Sequence, residues 1–298
     1  MDGLVMFSGQ GNVSLKKLKK LVESPEGQSF IEDSKFNKVF SDYLKCAITN
    51  NLNNVSYEII ATFVSNEITW RKIKKNYSIS NFTAYSAGIF NILSASQVIP
   101  LNDILNFLVE RIKLFELYQG NQGLYIYITK DNENAKKLRS IINNNKEVEI
   151  AIINSDKSGV IALSNDYFDK FKFTLKEKGI KSVLKFTGLS VPYHTAFLNH
   201  LISDYRMIVD KLFEKYDSEK AENYNIIFEE NIFIKCEINR QLTKPINWNV
   251  ISKKIIYKNY IDILDTSPNN QLKNLITKSD NHSNILTING SEEIWKSR

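Results

Sequence analysis

The chain has 298 residues, 43% hydrophobic and 24% charged, which is enough to bury a core in one large domain or two smaller ones. No apolar run reaches the length of a membrane span, and the start, MDGLVMFSGQG, lacks the basic segment and long apolar core of a signal peptide, so we expect a cytoplasmic protein without a membrane partner. Cys46 and Cys236 have no C-x-x-C motif or neighbouring histidine, which argues against a disulfide framework and predicts no metal site.

The net charge of +6 and the pI near 9.0 are compatible with an acidic partner such as nucleic acid, a phosphorylated cofactor or an acidic carrier protein. The basic residues are scattered and are not interleaved with aromatic residues, so no nucleic-acid partner is expected. The densest basic run, LKKLKKLV (15–22), places its apolar residues on one helical face and its lysines on the other, which is typical of a solvated helix face.

The first part of the chain alternates strands with helices. LVMFSGQG (4–11) predicts a strand that ends in a glycine-bracketed turn, and the amphipathic helix over 15–22 follows it. Residues 56–76 have apolar residues at helical spacing and end in a basic turn, and SISNFTAY then leads as a second strand into Ser86. This order predicts an α/β body.

A long helix and a small alternating unit come next. The helix is predicted over 101–119, with Asn102 or Asp103 as its N-cap. Residues 121–188 then alternate in the order strand, helix, strand, strand, helix, strand, which is the order of a ferredoxin-like unit. We therefore expect a small α+β subdomain inserted into the larger body.

The larger body resumes after this insert, so the predicted division is a catalytic core over 1–120 and 189–298 with the subdomain at 121–188. LSVPYHTAF begins a loop that precedes another long helix, and the tail has one further predicted strand at 260–265, a turn and a short helix. The stretch SEKAENYN (218–225) is predicted to be an exposed loop.

Ser86 lies in FTAYSAGIF, and its surroundings have the pattern of a nucleophile elbow. A sharp turn from strand to helix exposes the serine hydroxyl and leaves no room for large side chains two positions away on either side, a requirement that Ala84 and Gly88 meet. The pattern is weak alone, because alanine, glycine and serine often occur together by chance.

Three histidines could serve as its base. His282 lies in a polar tail and is expected to be solvated, and His200 is expected to be a surface or packing residue. His194 stands in a loop, because Pro192 disfavours a helical conformation for the residue before it. A lone loop histidine is more often structural than catalytic, but a partner serine in an elbow reverses that preference.

These residues occur in the order and approximate spacing found in one enzyme family. The chain resembles the malonyl-CoA:acyl carrier protein transacylases nearly end to end, and the resemblance implies an α/β-hydrolase-like core with an inserted ferredoxin-like subdomain. The motifs that carry the resemblance are FSGQG near the start, Ser86 in AYSAG, Arg111 in VERIKLFE, Asn154 in IINS, His194 in SVPYH and Gln241 in RQLTKPINW.

The resemblance implies a ping-pong acyl transfer through Ser86. His194 would act as the general base, and a carrier-protein phosphopantetheine thiol would collect the acyl group. The family pattern assigns the oxyanion hole to the backbone N–H groups of Gln10 and Ala87, and it orients the histidine with a main-chain carbonyl near Gln241. No bound cofactor is implied, since the CoA thioester is a substrate.

Arg111 is the residue that indicates the acyl group. In the family this arginine pairs with the free carboxylate of malonyl, a bidentate geometry that a planar guanidinium supplies and a lysine does not. Without the resemblance, Arg111 would be interpreted as one more charge on an amphipathic helix, between Glu110 and Lys113. With it, a malonyl-type acyl group is expected.

The sequence also departs from the family pattern at several positions, some of them next to Ser86. We expect Tyr85 and Tyr193 to contribute to substrate binding together with Arg111, Asn154 and Gln241, and the departures indicate a specialised secondary-metabolism enzyme. The departures are Tyr85 for histidine, Ala84 for glycine, Ile89 for an acidic residue, Ser8 for proline, the missing Gln-Pro in SYEIIA (56–61), and Ser267-Pro268-Asn269 for Gly-Pro-Gly.

Several readings of the function remain open at this point. The leading one is a monomeric acyltransferase that loads a separate acyl carrier protein in trans. A hydrolase that clears acyl groups from carrier proteins, and an inactive module that docks on a carrier protein, are the alternatives. The acyl donor could be CoA-bound or itself carried on a protein.

Overall fold

The computed structural model describes residues 3–11, 13–118, 120–216, 224–260, 262–268, 270–277 and 285–287. No helix within these ranges is long and apolar enough to cross a membrane. The predictions for His282 and Asn269, most of the loop at 218–225, and Gln119 at the end of the predicted helix lie outside the described residues. Asn225, the last residue of that predicted loop, instead begins a strand.

A parallel sheet forms the centre of the larger body. The strands are β1 (Gly3–Phe7), β2 (Asn81–Ala84), β7 (Asn225–Ile227), β9 (Asp262–Asp265) and β10 (Ile285–Thr287). Their order in the sheet is β10-β9-β1-β2-β7, and all four neighbouring pairs are parallel. The side chains of β1 are entirely buried, as expected where a parallel strand is covered on both faces.

The helices of the first part pack around one long central helix. They are α1 (Leu15–Val22), α2 (Pro25–Ser34), α3 (Lys38–Thr49), α4 (Asn54–Lys74), α5 (Ile89–Ala95) and α6 (Leu101–Glu116). Helix α4 contacts the other five and is buried on all sides over most of its length, and it confirms the helical spacing of apolar residues predicted at 56–76. The N-cap predicted for α6 is wrong: Pro100 precedes the helix, and Asn102 and Asp103 lie in its first turn.

The predicted order of elements at 121–188 is confirmed. The segment contains β3 (Gln122–Thr129), α7 (Asn132–Asn143), β4 (Val148–Ile153), β5 (Ser158–Ser164), α8 (Phe168–Glu177) and β6 (Ser182–Phe186). Its sheet has the order β6-β3-β5-β4, extended by β8 (Ile246–Asn247) from the larger body, which pairs with β4. The sheet thus couples the two parts, and the division at 121–188 stays a prediction.

The last part of the chain returns to the larger body. It contributes α9 (Ile202–Phe213), α10 (Ile234–Thr243), α11 (Trp248–Lys258) and α12 (Gln271–Thr277). A 3₁₀ helix over Ala196–Leu201 joins the loop of His194 to α9. The mixed architecture, a parallel sheet with helices plus a ferredoxin-like unit, confirms the predicted α/β fold class.

A buried hydrogen-bond network fixes the end of β1, where the chain turns towards the site. The Asn66 side chain, in the middle of α4, accepts from the Ser8 hydroxyl at 2.9 Å and from the Thr266 hydroxyl at 2.7 Å. Its amide nitrogen donates to the Ser8 carbonyl at 2.9 Å and to the Asn91 side chain at 3.1 Å. One amide therefore joins β1, α4, α5 and the segment after β9.

We expect Asn66→Ala to lower the free energy of unfolding by about 3 kcal/mol, because several buried polar groups lose their partner at once. The measurement is urea unfolding followed by circular dichroism. Asn76→Ala is the matched control, since Asn76 is exposed just after the same helix and its side chain donates to the Lys72 carbonyl at the surface. Equal stability of the two variants would contradict a structural role for the network.

Candidate active site

Ser86 stands at a tight turn between β2 and α5. It begins a 3₁₀ turn, Ser86–Gly88, and has φ 54°, a left-handed conformation that costs energy for a residue other than glycine. A Cβ at Gly88 would lie 2.4 Å from the Phe7 carbonyl oxygen, and Ala84 is buried, so both flanking positions require small residues. The strand–turn–helix geometry predicted at Ser86 is confirmed.

His194 faces Ser86 from the loop after the small subdomain. Its Nε2 lies 2.7 Å from Ser86 Oγ, and its Nδ1 is hydrogen-bonded to the Gln241 carbonyl oxygen. A carbonyl only accepts, so Nδ1 carries the proton and Nε2 is free to accept from the serine hydroxyl. The His194 backbone N–H donates to the Leu242 carbonyl at 2.9 Å, which holds the residue at φ 68°.

The Gln241 carbonyl is available because α10 ends there. In a continuing helix this carbonyl would accept from the backbone N–H of residue 245, but Pro245 has no N–H. The helix ends at Thr243, and Lys244 is extended, which is the conformation that proline favours for the residue before it. The Gln241 side chain donates to Glu237 at 2.9 Å, within the same helix. The sequence RQLTKP therefore contained a local signal for the free carbonyl.

The environment of His194 keeps its imidazole neutral. The residue is 5% exposed, and burial lowers its pKa to about 3, against a smaller raising effect of the bond to Gln241. The positive charges of Arg111 and Arg240 make smaller contributions to this lowering of the pKa. At neutral pH the imidazole is therefore unprotonated and able to accept a proton from Ser86.

Arg111 is a buried cation beside this pair. It is 5% exposed, and its Nε and Nη1 have no hydrogen-bond partner in the described part of the chain. Its guanidinium carbon lies 4.9 to 5.1 Å from the ring centres of Phe90, Phe115 and Tyr193, contacts that stabilise a cation without neutralising it.

The interpretation of Arg111 as a solvated helix charge is wrong. Glu110 and Lys113 pair with each other at 2.8 Å on the exposed side of α6, while Arg111 lies on the buried side. A desolvated guanidinium without a carboxylate is costly unless a ligand supplies the anion. Its side chain is therefore a candidate anion site.

Six of the predicted site residues line one cleft: Ser86, Ala87, Arg111, Tyr193, His194 and Gln241. The cleft encloses a cavity of only about 20 Å³, room for roughly one water molecule. An acyl group can enter only if the surrounding side chains shift, which favours short acyl groups.

Tyr85 and Asn154 form a pair beside the cleft. The Tyr85 hydroxyl donates to Asn154 Oδ1 at 2.9 Å, and its ring packs edge-on against Trp248 at 5.2 Å. Because Asn154 follows β4 and Tyr85 precedes the serine, this bond ties the elbow to the small subdomain. The structure thus gives both residues a positioning contact, and their predicted role in substrate binding stays a prediction.

The loop that contains Gln10 lies directly against the elbow. A Cβ at Gly9 would be 2.8 Å from the Tyr85 carbonyl oxygen and 3.2 Å from Ser86 Cβ, so only glycine permits this approach. Glu58, on α4, accepts from the Gly11 N–H at 2.7 Å and so holds the far side of the loop. Sequence reasoning missed Glu58, because nothing in SYEIIA indicates which side chain reaches this loop.

The chain is similar to known transacylases in sequence and in fold. No family model matches the chain. A malonyl CoA-acyl carrier protein transacylase of Buchnera aphidicola is 24% identical over 309 residues, covering 96% of this chain and 94% of that protein. The malonyl CoA-acyl carrier protein transacylase of Coxiella burnetii has the same fold, with a TM-score of 0.81, 17% identity, and coverage of 97% and 94%. The chain therefore has the fold of the solved malonyl-CoA:acyl carrier protein transacylases.

Two further solved transacylases share this fold. The acyl carrier protein S-malonyltransferase of Vibrio cholerae has a TM-score of 0.81 at 18% identity, with each chain fully covered. A transacylase solved in complex with a type II polyketide acyl carrier protein has a TM-score of 0.78 at 18% identity, with coverage of 97% and 96%. The transacylase fold therefore extends over both parts of this chain.

We expect the reaction of Ser86 with a fluorophosphonate to proceed at a constant rate from pH 8 down to about pH 5, because a His194 with a pKa near 3 stays unprotonated throughout. The measurement is the labelling rate by mass spectrometry at each pH. A histidine with the ordinary pKa of about 6.5 would instead lose about thirtyfold in rate by about pH 5, and that outcome would contradict the effect of burial.

Proposed function

We propose that the chain transfers a malonyl-type acyl group from a thioester donor to the phosphopantetheine thiol of an acyl carrier protein, acting in trans through an acyl-Ser86 intermediate. The observation that carries this proposal is the buried guanidinium of Arg111, with two unpartnered nitrogens in the same cleft as the hydrogen-bonded Ser86 and His194.

The first half-reaction forms the acyl-enzyme. Ser86 Oγ attacks the thioester carbonyl carbon while His194 Nε2 takes the hydroxyl proton. The carbonyl oxygen becomes an oxyanion, which the backbone N–H groups of Gln10 and Ala87 bind in this proposal. When the C–S bond breaks, His194 returns the proton to the departing thiolate, and an ester on Ser86 remains.

The second half-reaction repeats these steps with a new nucleophile. The carrier thiol gives its proton to His194 Nε2, and its sulfur attacks the ester carbonyl. Collapse of the tetrahedral intermediate expels Ser86 Oγ, which recovers the proton. The Gln241 carbonyl keeps the imidazolium oriented throughout, so no triad carboxylate is required.

The substrate carboxylate has two effects in this mechanism. It pairs with Arg111 and so supplies the anion that the buried guanidinium lacks. It also offsets the positive charge of Arg111, one of the causes that lower the pKa of His194, and so makes the imidazole a stronger base once the substrate is bound. A monocarboxylic acyl group would provide neither effect.

The first experiment is intact-protein mass spectrometry after incubation with malonyl-CoA and, separately, with acetyl-CoA. We expect a malonyl adduct on the wild type and none on Ser86→Ala, because the serine oxygen is the site of the ester. Adduct formation on Ser86→Ala would contradict the proposal. Rapid loss of the adduct to water in the presence of carrier protein would favour the hydrolase.

We expect Arg111→Lys to lower the acylation rate with malonyl-CoA by about 10- to 100-fold and to leave the slow reaction with acetyl-CoA unchanged, since lysine keeps the charge but not the bidentate fork. Quenched-flow measurements with each donor give the ratio of the acylation rates with malonyl-CoA and acetyl-CoA. Lys113→Arg, on the exposed side of the same helix, is the control. A parallel loss with both donors would assign Arg111 a structural role instead.

A further inference from the structure

An apolar and basic strip lies open on one face of the small sheet. Side chains alternate between the two faces of a strand, so every second residue of β3 and of the antiparallel β6 faces the same side. The apolar members are unusually exposed, with Ile126 at 37%, Ile128 at 49% and Val183 at 62%. The docking strip, as we name it, consists of Ile126, Ile128, Val183 and Lys185 in these strands, together with Lys130 after β3 and Lys181 before β6. The Lys130 N–H donates to the Lys181 carbonyl at 3.0 Å, which continues the pairing of the two strands.

The same face is covered elsewhere in the sheet. On β5, Val160 and Ala162 pair with Ile126 and Leu124 and are buried in the main core. The larger body therefore covers this face as far as β5 and leaves it open at β3 and β6. An exposed apolar patch at such a boundary, rimmed by charge, is typical of an interaction site.

The lysines of the docking strip are available for an acidic partner. Within the described residues, none of the three forms an ion pair, and the neighbouring Asp131 accepts from the Asn134 backbone and side chain at 2.8 and 2.7 Å. Lysines on the edge strand β6 would also prevent its pairing with other chains. Protection of the edge does not explain why isoleucines are exposed on β3, the neighbouring strand.

The strip leads to the mouth of the cleft. Leu124, two residues before Ile126 on the same face, bonds through its backbone to Leu189 at 3.0 Å, and Leu189 packs beside Gly11 in the loop next to Ser86. At about 3.4 Å per residue, Ile126 lies roughly 7 Å and Ile128 roughly 14 Å beyond this point. A flexible prosthetic arm can span such distances.

We infer that the docking strip binds an acidic helix of the acyl carrier protein, with its apolar residues against the helix and its three lysines against the carboxylates. This inference rests on the proposed function, because it is the proposed acceptor that must dock near the cleft. Charge complementarity favours a carrier protein over a second copy of this chain. An apolar strip with three lysines fits an acidic amphipathic helix, whereas a second copy of this chain carries a net positive charge and would be repelled.

The test uses the full chain with Lys181→Glu and Lys185→Glu combined. Malonyl-enzyme is prepared first, and its transfer is then measured to a phosphopantetheinylated type II acyl carrier protein and, separately, to free pantetheine. We expect transfer to the carrier to fall about 10- to 100-fold and to lose its dependence on salt, while malonylation and transfer to pantetheine stay unchanged.

Lys176→Glu with Lys178→Glu is the matched control, because it changes the net charge equally at the end of α8, away from the strip. Failure of malonylation in the wild type would overturn the proposed function itself. Normal malonylation with equal carrier transfer in both double variants would overturn the docking strip alone. A change in oligomeric state without a change in transfer would assign the strip to a second copy and also overturn the inference.

Discussion

The hydrogen bond between His194 and the Gln241 carbonyl is the interaction on which the rest of the site depends. It fixes the imidazole tautomer, and it does so with a neutral main-chain acceptor in a buried place where a carboxylate would itself have to be desolvated. The acceptor exists because α10 ends before a proline. The end of α10 thereby determines how a serine in the turn after β2 can react.

Both reacting residues occupy left-handed backbone conformations, at φ 54° for Ser86 and φ 68° for His194. Such conformations persist only where the surrounding structure holds them. The elbow is held by the close approach of Gly88 to Phe7 and of Gly9, in the loop after β1, to Tyr85 and Ser86, and by the bond from Tyr85 to Asn154. Asn66 holds Ser8, which precedes Gly9, and Asn91 in the helix after the elbow, so the buried network also stabilises the geometry of the site.

Much of this arrangement could be predicted because it follows from local patterns. The strand before Ser86, the small residues around it, the loop histidine after a proline and the order of elements at 121–188 each follow from periodicity or from the backbone limits of glycine and proline. The contacts of Asn66 and Glu58, and the addition of β8 to the small sheet, could not be predicted. They join residues distant in sequence, and a polar residue within a helix gives no indication of its partner.

The buried position of Arg111 also could not be predicted from the sequence, and this residue is the cation of the site. Sequence periodicity placed it between two exposed charges, yet the helix turns it inward, where aromatic rings surround it and no described carboxylate neutralises it. The folded protein holds this cation close to His194. Without an anion, Arg111 has no counter-ion and its charge lowers the pKa of the histidine. In the proposed mechanism, the free carboxylate of a dicarboxylic acyl group would pair with Arg111 and would also raise the pKa of His194. The same contact would then select the substrate and activate the base that deprotonates Ser86.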